Sequence, residues 1–142
     1  MIGCSQEAWW NFVLLSEPLA YVSDTPMRAA AISVRFLGKG LHNFLMLTFE
    51  FDGNEVVEAL ETTGAIMAAN HLRRVLAELG VAVPFESAEA RAERLDSHWT
   101  EALDELAFLS REAEDQLMTV LGRHVAESET HYLALGLPAS EA

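Results

Sequence analysis

The chain has a single cysteine, Cys4, in 142 residues, which excludes an intrachain disulfide and any site built from several thiolates. That usage fits a reducing compartment, so a cytoplasmic protein is the expectation. Basic side chains are also scarce: 9 Lys and Arg stand against 22 Asp and Glu, for a formal net charge of -13. A surface of that sign repels phosphate backbones and anionic headgroups, which argues against nucleic acid and membrane as partners and leaves a basic partner open. Long apolar runs are missing. No uncharged stretch is longer than Thr62 to Leu72, far short of the ~18 residues that read as a membrane span. The start, Met1-Ile2-Gly3-Cys4, carries no basic segment, and Glu7 follows closely, so no secretory signal is expected.

Motifs of common chemistries are absent as well. There is no Gly-x-Ser-x-Gly, phosphate loop or dinucleotide fingerprint, and Gly38-Lys39-Gly40 is too short for any of them. Nothing around Cys4 marks it as an activated nucleophile.

What is present is enough for one folded domain. With 51% hydrophobic and 22% charged residues, the chain has too much apolar material for disorder, and its length suits a single core. A single helical domain over 1–142 is expected, with residues 1–4 and 137–142 flexible.

Residues 6 to 16 hold Trp9, Trp10, Phe12, Val13, Leu14 and Leu15, a density expected of a buried or partner-covered helix, and Pro18 interrupts it. Thr25-Pro26 is a helix start signal. Met27, Ala30, Ala31, Val34 and Leu37 continue the pattern, with Arg28, Arg35 and Lys39 on one face, and Gly38 and Gly40 supply a stop. This predicts a helix over 26–38. The alternation of Ile32, Val34 and Phe36 also fits a strand, and Leu47 to Asp52 alternates cleanly into Asp52-Gly53. A small β-hairpin over 44–58 is therefore expected, although Asp52 with Glu55 also reads as a capping box. The alternative architecture is α+β, with a short antiparallel meander in 30–60. Val57, Leu60, Gly64, Met67, Ala68, His71, Val75 and Leu79 then form one helical stripe closed by Gly80, and Ser87 can cap the last segment.

That last segment carries Leu95, Trp99, Ala102, Leu106, Leu109, Ala113, Leu117, Val120, His124, Ser128, His131 and Leu135 within about 60° of one line at ~100° per residue. A continuous helix would reach roughly 70 Å at 1.5 Å per residue, more than a domain of this size can cover. Either it breaks near Gly122 or a second chain covers part of it. The expected fold is thus mainly α, a helical bundle with a long C-terminal amphipathic helix.

Candidate chemistry centres on the histidines. His124, Glu127 and His131 share one face of the last helix, and His98 with Glu101 repeats the same His-x-x-Glu spacing. Imidazole and carboxylate in a bundle core suit a divalent transition metal. Di-iron carboxylate bundles carry the reverse order, Glu-x-x-His, so the preferred account of these histidines, and of His71, is hydrogen bonding within or beside the core. Glu58-Ala-Leu-Glu61 and Glu101-Ala-Leu-Asp104 are carboxylate pairs at helical spacing. Their arrangement loosely resembles the MazG-like all-α nucleotide pyrophosphatases over about half the chain. That resemblance implies Mg²⁺ held against a nucleotide pyrophosphate. The gap between the pairs exceeds that family's usual one and no lysine lies nearby for the phosphates, so a solvated acidic face is preferred.

The functional expectation is a helical accessory or interaction protein that self-associates or binds a protein partner through apolar helix faces. Its contact residues would be Trp9, Trp10, Trp99, Leu106, Leu109 and Leu117. A small helical-bundle enzyme or metal-binding protein is the alternative. A third is an apolar small-molecule binder built on Trp9, Trp10, Phe44, Met46 and Phe49.

Overall fold

The computed structural model describes residues 4–21, 25–41, 51, 53–79 and 100–135. Among them it is a bundle of eight helices without strands: α1 (Gln6–Leu14), α2 (Ser16–Leu19), α3 (Thr25–Lys39), α4 (Gly53–Thr63), α5 (Ile66–Leu79), α6 (Glu101–Leu106), α7 (Arg111–Glu127) and α8 (Glu129–Leu135). No helix among the described residues is long and apolar enough to cross a membrane. The expected flexible ends lie outside the described residues, except for Cys4.

The helix starts have identifiable caps. Ser5, Thr100 and Ser110 each sit in extended backbone and accept a hydrogen bond through the side-chain oxygen, from the amides of Ala8, Leu103 and Ala113 respectively. Each satisfies an amide that would otherwise lack a helical partner. Glycines close α3 and α4. Gly40 (φ 81) and Gly64 (φ 102) adopt the left-handed backbone, and the amides of Gly64 and Ala65 both reach the Leu60 carbonyl in the usual glycine stop.

The packing is organised around α3, which is buried through Ala29, Ala30, Ala31, Ile32, Ser33, Val34 and Phe36. Its most extensive contact is with α4, and it also meets α1, α2 and α7. Small side chains let the α3 and α4 backbones approach. Their hydroxyls are handled locally: buried Ser33 donates to the Ala29 carbonyl, half-buried Thr63 donates to the Ala59 carbonyl, and the two hydroxyls meet at 3.3 Å. Gly53 starts α4 directly against Leu76, whose Cδ2 would lie 2.8 Å from an added Cβ. On the other side α7 runs across α1, α3, α4 and α5, while α8 turns back onto α1. Fully covered Phe12, Phe36, Leu60, Leu72, Leu103, Leu117 and Leu121 form the centre, each contributing about 1.5–3 kcal/mol by leaving water.

Four sequence expectations are corrected. Residues 53–58 are helix rather than the second arm of a hairpin, because Val56, Val57, Ala59 and Leu60 bury a helical face; residues 44–50 and 52 lie outside the described residues. The meander in 30–60 is likewise replaced by α3 and α4 over most of its length. The stripe from Val57 to Leu79 is two helices divided at Gly64. The C-terminal segment does not break at Gly122, which is buried inside α7; it breaks at Ala107–Ser110 and at Ser128. The helix expected over 26–38 is present, one residue longer at each end.

Candidate functional site

The buried side of α7 begins at Ala113 and continues through Leu117, Leu121 and Val125. In α8, beyond the turn at Ser128, the fully buried side chain is Tyr132. The α7 line is rotated by roughly 60° from the one through Val120, His124 and His131 at ~100° per residue. Tyr132, which the sequence did not single out, occupies the interior, and the histidines fall at its edge.

The result is an aromatic cluster at the α1/α7/α8 junction. Phe12 packs edge-on to Tyr132 at 5.1 Å between centroids and lies 5.8 Å from the His124 ring. Trp9 flanks Phe12 at 5.7 Å. His124 Nε2 and the Tyr132 hydroxyl are hydrogen-bonded at 2.6 Å, so the only polar atom of the buried Tyr132 ring is satisfied. His131 stacks edge-on against the outer side of Tyr132 and is exposed. The α8 segment is secured by two further bonds: the Ser5 amide donates to Glu129 Oε1 at 3.2 Å and Asn11 Nδ2 donates to the Tyr132 carbonyl at 3.0 Å.

The expected metal face is thus distributed. His124 is turned to Tyr132, His131 and Glu127 are exposed, Glu101 is exposed on α6, and His98 lies outside the described residues. Among the described residues no three His, Cys, Asp or Glu side chains converge as a metal site would require. The cleft beside His124, lined by Pro26, Thr62, Arg123 and Glu127, holds about 200 Å³, below the usual range of ligand pockets.

The carboxylate pairs are also apart. Glu58 and Glu61 face the cleft between α3 and α4 together with Glu55 and Arg28. Glu55 meets Arg28 at 3.7 Å, and Glu61 is paired with Arg73 of α5. Cations of the chain itself therefore balance two of the three carboxylates. Glu101 and Asp104 are exposed on α6, whose main contact is α5 rather than α4, so the two pairs do not sit on facing helices. A second groove, lined by Met67, His71, Arg74, Glu105 and Phe108, has the volume of a ligand site, about 610 Å³. One of its polar groups is already used: His71 Nε2 donates to the Leu106 carbonyl at 2.8 Å, closing the C-terminus of α6.

Cys4 has its thiol pKa pushed up, first by burial and then by the nearby Glu129 carboxylate. A thiol perturbed in that direction is less nucleophilic at neutral pH, not more.

The residues expected at an interface divide cleanly. Trp9, Leu106 and Leu117 are buried within the chain, Leu109 is half-buried, and Trp99 lies outside the described residues. Trp10 is 52% exposed and Leu14, one turn later on α1, is 75% exposed. Phe108 and Met67, which line the His71 groove, are exposed, as is Ile66. Phe44, Met46 and Phe49, expected to line an apolar pocket with the two tryptophans, lie outside the described residues. Comparison with models of protein families, with characterised proteins and with solved structures finds no match to this chain.

Proposed function

We propose that the protein is a helical interaction protein that binds another polypeptide through the outer face of α1. The observation supporting this is the contrast between neighbours on that helix. Trp9 and Phe12 are buried while Trp10 and Leu14, four residues apart, stand in water. A free helix face with an indole and a leucine one turn apart matches the anchors that helix-in-groove and helix-on-helix recognition use, and buried tryptophans are among the most frequent hot-spot residues. Leaving such side chains exposed forgoes about 1.5–3 kcal/mol each that a partner would recover. The partner is a second copy or a different chain.

Sedimentation velocity at micromolar concentration, combined with titration of synthetic amphipathic helices, tests this reading. Wild-type protein should either dimerise or bind such a helix. The Trp10→Ser/Leu14→Ser variant should keep its melting temperature and lose that association. A wild type that remains a 15.7 kDa monomer and binds none of the helices would overturn it.

A further inference from the structure

Charge is unevenly distributed around the α1 face. The first 27 residues contain no Lys, Arg or His, and no Lys or Arg follows Arg123. The helices α1 and α8 within these stretches come together in space, packing through the Ser5–Glu129 and Asn11–Tyr132 hydrogen bonds. On α1, α2 and α8 the only formally charged side chains are therefore Glu7, Glu17 and Glu129. Glu7 precedes Trp10 by three residues and Glu17 follows Leu14 by three, and both are exposed. The apolar pair is bracketed along the chain by carboxylates, Glu7 on α1 and Glu17 on α2.

We infer that the occupant of this face is a basic amphipathic helix of a different protein, with leucine-like side chains seated on Trp10 and Leu14 and lysine or arginine reaching Glu7 and Glu17. This rests on the α1 reading above and names the partner's chemistry. Trp10 and Leu14 form a ridge of the i, i+4 kind that the ridges of a second helix straddle. From Glu7 to Leu14 α1 rises about 10 Å at 1.5 Å per residue, and Glu17 follows on α2 beyond the turn at Leu15, so a partner of roughly two to three turns covers the apolar pair with a cation at each end. A second copy of this chain fits poorly. It would set the same carboxylates against each other, on a molecule whose net charge is already -13, and like-charge juxtaposition selects against that pairing.

The test uses the full chain and three synthetic helical peptides that share one leucine stripe and carry lysine, glutamine or glutamate beside it. Calorimetry should show the lysine peptide binding about tenfold more tightly than the glutamine peptide, with affinity falling as salt rises, and no binding of the glutamate peptide. In the Glu7→Gln/Glu17→Gln variant, with its melting temperature as the control for folding, the lysine and glutamine peptides should bind alike. In the Trp10→Ser/Leu14→Ser variant the lysine peptide should no longer bind; if it does, it is held elsewhere on the acidic surface and the inference is wrong. Equal affinity of lysine and glutamine peptides for the wild type, or a wild-type dimer dissolved by Trp10→Ser/Leu14→Ser, would overturn the basic partner while leaving α1 as an interaction face. A monomer that binds no peptide would overturn both.

Discussion

Residues 53–79 and 100–135 are both helical stretches with one glycine near the middle of a periodic apolar stripe, and the two glycines behave oppositely. Gly64 ends α4 with φ at 102°, and the stripe resumes in α5 after a change of direction. Gly122 is buried within α7 and interrupts nothing. The breaks in the second stretch fall instead at Ala107–Ser110, where Ser110 caps α7, and at Ser128. Glycine permits a turn at little cost but does not impose one. The chain turns where the next helix has a cap or a surface to cover, and α8 leaves the α7 axis for the second reason, because Tyr132, Glu129 and Asn11 join it to α1.

The sharpest way to break this account is at the α7/α8 junction. Tyr132→Ala should cost about 3–5 kcal/mol, whereas His131→Ala, on the neighbouring exposed position, should change stability by less than about 0.5 kcal/mol. Chemical denaturation of the two variants would measure this, and the opposite ranking would mean that the inward line of α7 has been misplaced. Next in size is the glycine contrast. Gly64→Ala should destabilise by about 1–2 kcal/mol because of its backbone, since its nearest new contact, Val120 Cγ1 at 3.6 Å, is an ordinary one. Gly38→Ala should stabilise by about 0.5–1 kcal/mol, because it lies in α3 with nothing within 4 Å of the added carbon. Thermal melts that move in the same direction for both would dissolve the distinction.

Smaller effects refine it. Ser110→Ala should cost about 1 kcal/mol by removing the cap that separates α6 from α7, readable as a lower denaturation midpoint. At the far end of α1, the Cys4 thiol is pushed up by burial and then by Glu129, so alkylation should reach its midpoint at higher pH in the folded protein than in the unfolded chain. Glu129→Gln should lower that midpoint without restoring the unfolded value, because burial is the larger cause. A raised thiol pKa contributes to folding below the ordinary thiol range, and the contribution is lost as pH rises through the folded value.

Much of the helical organisation was legible. Thr25-Pro26 and Gly40 bound α3 within a residue or two, because caps and stops act locally and do not depend on the rest of the fold. The strand-like alternation of Ile32, Val34 and Phe36 misled for a physical reason: α3 is buried on most of its circumference, so apolar residues on any spacing are accommodated. The site was less legible. Ala113 and Leu117 lie on the stripe read from the sequence and are buried, but Leu121 and Val125 lie off it, because fitting a single unbroken register from Leu95 to Leu135 favours Val120, His124 and His131 instead. A register carried across the turn at Ala107–Ser110 has no meaning, since each helix sets its own rotation.

By itself the sequence determined the composition-level properties: an acidic chain with one thiol, ample apolar residues and strong helical periodicity, hence a mainly helical fold. Only the tertiary structure decided which member of each adjacent pair faces inward: Trp9 rather than Trp10, and Tyr132 rather than His131. Neighbouring residues on a helix differ by ~100° in direction and little in propensity. Their fates are set by where α7 and α8 close over α1, and that closure leaves Trp10 and Leu14 in solvent beside Glu7 and Glu17.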